Sequence, residues 1–273
     1  MNTIAYVAYR EWAFKILKKL NNKNNKIVIL TPNKKIKSKI PIFYIKPNDN
    51  NKILSILRKN KVKVVMFYGW SWIISKQILD NYLCLCLHPS KLPYFRGGSP
   101  IQNQIIQNVK QSAVTVFKMN DKIDGGDIYK QKKFSLNGNL NKIFKRIILI
   151  GSIVTNDFIN DLNRDQLNFY KQKKIKTIYK RRKSEESKID LKKFKKKSYN
   201  YFFNFVRMLQ DPYPNPFFEI KKKRVYIYKI QKIKITLKRY KKSLLDISIK
   251  KGIFIKLKDS YCKILSGKVL NIK

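Results

Sequence analysis

The sequence predicts an α/β fold: a mostly parallel sheet covered on both faces, followed by a small β-rich module. Three observations predict it. Short apolar runs alternate with helical segments over residues 1–160, with no two-residue hairpin signal between them. Most of these runs are apolar along their whole length, as strands shielded on both faces are. After residue 204 the pattern changes to closely spaced, short alternating runs.

The elements follow in order. IAYVA (4–8) is a first strand, and REWAFKILKKL places Trp12, Ile16 and Leu20 at helical spacing. KIVIL (26–30), stopped by Thr31 and Pro32, and IPIFYI (40–45) are the next strands. A helix carries Ile53–Leu57, VKVVMFYG (62–69) is a fourth strand, WSWIISKQILD (70–80) reads as a helix, and YLCLCL (82–87) is a fifth strand. Ser99 and Pro100 suit a helix start, so a helix is expected from Pro100 to about Asn108. SAVTVFKM (112–119) and DIYKQKKFSL (127–136) are strands, and Asn141 to about Asn160 is helical.

Residues 171–200 hold 14 basic and 3 acidic side chains, which suits a linker or a solvated helix. DPYPNPFF (211–218) interrupts regular structure. RVYIYKI, KIKITL, LLDISI, GIFIKL and YCKIL then read as the strands of a small barrel or hairpin stack. The expected division is an α/β domain over 1–170, a basic linker or helix over 171–203 and a β-rich module over 204–273.

Composition narrows the function. Hydrophobic residues make 44% of 273, and aromatics 13%, enough for a core and too many for a disordered chain. Lys+Arg number 62 against 16 Asp+Glu, a formal charge of +46. That field favours anionic partners such as nucleotides, folates, RNA or an anionic membrane surface. Lys, Asn and Ile are abundant together throughout, so a compositional bias explains the charge as well as a partner does. The basic residues are nonetheless denser in the second part, with 29 in 1–170 and 33 in 171–273. Cys84, Cys86 and Cys262 form neither a disulfide framework nor a paired metal spacing, and no metal is expected. No apolar run reaches 18 residues, and MNTIAYVAYREW lacks a signal-peptide pattern, so a cytoplasmic protein without membrane insertion is expected.

The candidate chemistry gathers in LCLHPSKLPYFRGGSP. His88, the sole histidine, follows an apolar strand, where open parallel sheets bind ligands. It is a candidate acid–base or oxyanion group; a packed histidine is the competing reading. Residues 81–120 contain no carboxylate; DKIDGGD then supplies Asp121, Asp124 and Asp127. Asp124 follows the strand expected beside that of His88, so two strand ends would present an imidazole and a carboxylate on one rim. Asp121 and Asp127 suit turn chemistry.

HPSKLPYFRGGSP followed by IDGGDI resembles the catalytic domain of the folate-dependent formyltransferases, which act on methionyl-tRNA, glycinamide ribonucleotide or amino-sugar nucleotides. The family pattern reads Asn-x-His-x-Ser-x-Leu-Pro-x-x-Arg-Gly, then Asp-x-Gly-Asp/Pro-Ile. The resemblance implies a Rossmann-like N-terminal domain and an OB-like C-terminal module. It implies 10-formyltetrahydrofolate as cosubstrate, with His88 and Asp124 as the catalytic pair and Ser90, Pro93, Arg96, Gly97 and Gly98 as the substrate loop. Protonated His88 would hold the oxyanion, and Asp124 would keep it charged and help take the amine proton. Cys86 stands where the family has an Asn that positions the formyl oxygen. A thiol is a weak donor, so Asn103 or a backbone N–H is the candidate replacement. Gly69, Ser71 and Trp72, with Trp70, would wall the folate site by position, and Arg10 would meet an acceptor phosphate.

RRKSEESKID (181–190) and NFVRMLQDPYPNPFF (204–218) are similar to the linker and module entry of the sugar-nucleotide members. The acceptor expected from them is a nucleotide-linked small amine. Methionyl-tRNA is the alternative, favoured by the basic tail. A homologue that binds folate or a nucleotide without transferring is a third reading, resting on Cys86. The oligomeric state stays open, a dimer being compatible.

Overall fold

The computed structural model describes residues 1–21, 23–173, 177–220, 222–233, 245–248 and 252–271. They fall into two compact units: Met1–Pro100 with Gln111–Ser135 and Lys142–Tyr179, and Ile101–Lys110 with Leu136–Asn141 and Lys180–Lys273.

The first unit is built on β1 (Asn2–Val7), β2 (Asn25–Thr31), β3 (Ile42–Tyr44), β4 (Val64–Tyr68), β5 (Leu83–His88), β6 (Arg96–Gly97), β7 (Gln111–Lys118), β8 (Ile128–Ser135) and β9 (Ile178–Tyr179). Seven of them form one sheet in the order β3-β2-β1-β4-β5-β7-β8, and β6 pairs with β9 in a separate two-stranded ladder. β3 through β5 are joined by parallel pairings; β5–β7 and β7–β8 are antiparallel. The order runs outward from β1 to β3, then restarts on the other side of β1 with β4. That reversal opens a crevice at the carboxyl ends of β1 and β4.

The helices are α1 (Glu11–Leu17), α2 (Asn50–Lys59), α3 (Lys76–Asn81), α4 (Pro100–Ile106), which from Ile101 on belongs to the second unit, and α5 (Leu140–Asn163). Ile53, Leu54, Ile56 and Leu57 of α2 and Ile78 of α3 join Ala5, Val28, Val65 and Cys84 in one buried cluster. On the other face, a side chain added at Gly151 of α5 would stand 2.7 Å from Ile16 and 3.0 Å from Leu87. That glycine lets α5 approach α1 and β5 closely. Strand alternation therefore puts Cys84, Cys86 and His88 on the face that α2 and α3 cover, and Leu85 and Leu87 on the face under α1 and α5.

The expected helix over 70–80 is shorter. Only Lys76–Asn81 is helical. Gly69, at φ +63°, turns the chain out of β4, and Trp70 and Trp72 pack together at 4.8 Å. Ring packing outweighs the helical period of WSWII.

The second unit holds a 3₁₀ turn (Ser184–Ser187), α6 (Leu191–Lys195), α7 (Tyr199–Met208), and β10 (Phe217–Ile220), β11 (Lys223–Ile233), β12 (Leu245–Ser248), β13 (Gly252–Lys256) and β14 (Tyr261–Asn271). The five strands make an antiparallel sheet in the order β10-β11-β14-β13-β12. RVYIYKI and the start of KIKITL are one strand, β11, whose register shifts after Ile227 and again after Lys229. That irregularity breaks the alternation and makes one strand look like two; residues 234–237 of KIKITL lie outside the described residues. Phe194 packs edge-on against Phe202 and Phe205. The Arg207 guanidinium donates to the Leu136 and Gly138 carbonyls at 2.5 and 2.8 Å.

Candidate active site

His88 ends β5, its side chain only 7% exposed. Its Nε2 lies 2.8 Å from the carbonyl of Phe95, in the loop that follows. A carbonyl only accepts, so Nε2 carries a hydrogen and Nδ1 is the nitrogen left for proton exchange. Nδ1 stands 3.4 Å from Asp124 Oδ2, and the Asp124 side chain is 17% exposed. That contact is attractive only when a proton lies between the two; otherwise a lone pair faces a carboxylate. The separation is longer than an N–H···O hydrogen bond.

The route by which Asp124 arrives differs from the expectation. β7 runs antiparallel to β5, with His88 opposite Thr115 and Leu85 opposite Lys118. The end of β7 is therefore about 10 Å back along β5 from His88, not on the same rim. The connection over 119–127 returns that distance. Asp124 adopts φ +46° within it, a conformation that Asp tolerates better than most residues. Its Oδ2 also accepts the Gly97 N–H at 2.7 Å. Gly97 sits at φ +91°, and a Cβ there would meet the Tyr179 carbonyl at 2.4 Å. The carboxylate is thus held by the loop that follows the histidine.

Ser90 is fully buried; its hydroxyl donates to the Tyr94 carbonyl at 2.7 Å, and its carbonyl accepts from Thr115 Oγ1 at 2.6 Å. It shapes the loop. Pro93 follows Leu92 through a cis peptide. Arg96 donates twice to Gln172 Oε1, at 3.2 and 2.7 Å, and Gly98 N–H donates to the Tyr179 carbonyl at 2.7 Å. Cys86, two residues before His88 on the same face, packs against Leu92, Phe117 and Ile128. Burial pushes its thiol well up, with the Asp124 charge acting in the same direction, so it is a neutral packed group. Asn103 is buried in α4, within the second unit.

The five residues expected at the folate and phosphate sites come together. Tyr9 and Arg10 follow β1, and Gly69, Ser71 and Trp72 follow β4, the parallel neighbour of β1. The Tyr9 ring lies 4.7 Å from Trp72 and 6.3 Å from Trp70. Its hydroxyl is 2.9 Å from Ser71 Oγ, and the Arg10 guanidinium sits 4.9 Å over the same ring. β5 is the next parallel strand, so this aromatic cluster and His88 lie along consecutive carboxyl ends. A ring-bearing donor fits an aromatic wall there. Tyr9, Phe95, Gln172 and Tyr179 were not singled out by the sequence. Tyr9 could have been, standing beside Arg10 after a strand; the others carry no local signal.

An imidazole–carboxylate pair at the end of a parallel strand can carry acid–base chemistry. Residues 7–141, just under half of the chain, match the family model described as formyl transferase, and that likeness supports a folate-dependent formyltransferase family. A methionyl-tRNA formyltransferase of Mycoplasma genitalium is 28% identical over 249 residues, covering 89% of this chain and 77% of that protein. One from Rickettsia canadensis is 34% identical over 99 residues, so the chain matches only 33% of its length. Among solved structures, methionyl-tRNA formyltransferase from Clostridium thermocellum superposes with TM-score 0.65 at 24% identity, covering 99% and 100% of the two chains. The N-formyltransferase from Helicobacter canadensis, in complex with folinic acid and dTDP-3-aminofucose, gives 0.66 at 16%, covering 98% and 100%. These two likenesses show the fold and do not separate the acceptors.

Proposed function

We propose that this chain transfers a formyl group from 10-formyltetrahydrofolate to the amine of methionyl-tRNA. The observation that carries formyl transfer is the His88–Asp124 pair, 3.4 Å apart and set inside the matched family segment. 10-Formyltetrahydrofolate supplies the formyl group. Nδ1 of His88, when protonated, donates to the oxygen that gains charge as the amine attacks. Asp124 receives the proton released by the amine, directly or through water, and that proton passes to the tetrahydrofolate nitrogen as its bond to the formyl carbon breaks. Gly97 N–H fixes the carboxylate so that it turns toward the ring. Gly69, Ser71 and Trp72, with Tyr9, wall the donor, and Arg10 meets an acceptor phosphate.

Transfer RNA is preferred over an amino-sugar nucleotide because the Mycoplasma relative, a methionyl-tRNA formyltransferase, aligns through 89% of the chain and so includes most of the C-terminal part. This reverses the order that RRKSEESKID and LQDPYPNPFF suggest; those segments keep the amino-sugar nucleotide as the second reading. Purified protein supplied with 10-formyltetrahydrofolate and either charged initiator tRNA or a panel of amino-sugar nucleotides tests the choice. Formylated methionyl-tRNA supports the first reading, and turnover confined to a sugar nucleotide rejects it.

A further inference from the structure

Resting on the roles given above to His88 and Asp124, we infer that Gln172 is a positioning residue for the catalytic pair. Its side-chain amide bridges the two loops that hold the pair together. Nε2 donates to the Asp124 carbonyl at 3.0 Å and to the Gly126 carbonyl at 2.6 Å. Oε1 accepts from Arg96 Nη2 at 2.7 Å and from Nε at 3.2 Å. The amide orientation is fixed by its partners, because two carbonyls can only accept and a guanidinium can only donate.

These partners lie beside the reacting groups. Arg96 immediately precedes Gly97, whose N–H holds the Asp124 carboxylate. Asp124 is bonded through its own backbone while it stands at φ +46°. Such a conformation persists only where surrounding contacts over-determine it. Two residues on, Gly126 has no room for a side chain, since a Cβ there would come within 1.7 Å of the Lys118 carbonyl. Gln172 therefore grips both ends of the Gly97–Asp124 contact with one planar group. It can do so because its own backbone is anchored. Tyr170, two residues earlier, exchanges both backbone hydrogen bonds with Ile128 at 2.8 and 2.9 Å, where β8 begins.

Gln172 lies outside the matched segment 7–141 and inside the stretch whose composition reads as a basic linker. The chain leaving α5 thus returns to the catalytic loops before it enters the second unit.

The test uses the full chain with Gln172→Met, which keeps length and removes all three polar partners. Gln172→Glu is the second variant; it can still face Arg96 but offers no N–H to either carbonyl. His88 is the only histidine, so the protein gives a single set of imidazole proton resonances. That signal reports the surroundings of His88 without any substrate. Asp124→Asn should move it, both Gln172 variants should move it in the same direction, and Gln172→Met should add nothing in the Asp124→Asn background. In turnover, kcat should fall about 10²-fold, as misplacing a reacting group by about 1 Å does, with KM for both substrates near wild type.

A folded Gln172→Met protein with the wild-type imidazole signal and the wild-type kcat would overturn the inference. So would loss of the folded state in both variants, which would assign Gln172 to the fold. Wild-type protein that transfers no formyl group would fault the functional reading instead, and the imidazole signal would still decide the role of Gln172.

Discussion

Asp124 lies 3.4 Å from His88 although 36 residues separate them and β7, the strand before Asp124, runs opposite to β5. The carboxylate reaches the imidazole because Gly97 N–H captures the same oxygen at 2.7 Å. The geometry of the pair is therefore a property of two loops.

Asp124→Asn keeps an acceptor for Gly97 but removes the negative charge that stands 3.4 Å from His88 Nδ1. Formyl transfer should fall about 10²–10⁴-fold, with folate binding retained. Rapid-quench rates and equilibrium binding of tetrahydrofolate measure the two separately.

Cys86 stands in the family's Asn position yet is packed against Leu92, Phe117 and Ile128. Losing an oxyanion donor typically costs about 10²–10³ in rate, so Cys86→Ala should cost about tenfold or less if the thiol is not one. A larger loss, with the fold intact, would make the thiol a donor after all.

Gly126→Ala should damage both stability and rate. Its Cβ would come within 1.7 Å of the Lys118 carbonyl, so the loop carrying Asp124 must shift. The expected loss exceeds about 1 kcal/mol, read as a lower urea midpoint at unchanged slope. An unchanged midpoint would show that the loop has slack.

Cys84 gives a pH dependence. Burial pushes its thiol from 9.0 up to about 12, with Lys118 pulling the other way. The folded state thus keeps a proton that the unfolded chain releases. This contribution is whole below pH 9 and is lost as pH rises from 9 toward 12. Cys84→Ala should flatten that alkaline decline by up to about 1.4 kcal/mol per pH unit. Equal slopes in the two proteins would contradict the burial of the thiol.

Much of the fold is legible in the sequence, because fully apolar runs such as VVMFY and LCLCL mark doubly covered strands whatever their neighbours do. Strand direction is not legible. SAVTVFKM would look the same in either orientation, and only pairing shows that β7 opposes β5. His88 and Asp124 stand out through their motif, while Gln172 does not: a polar residue in KQKK carries no pattern, and its value lies in three partners brought from far along the chain. Trp70 and Trp72 imitate a helical period because they pack with Tyr9 instead.

The most direct measurement is single-turnover formylation of methionyl initiator tRNA by the wild-type chain and by Asp124→Asn, repeated at rising salt. The account predicts formylmethionyl-tRNA from the wild type and at least about 10²-fold less from the variant. It predicts tRNA affinity that falls linearly on a log–log plot against salt, with a slope set by the number of phosphates neutralised. Equal rates in the two proteins, or no formylation of tRNA while a sugar nucleotide is turned over, would contradict it.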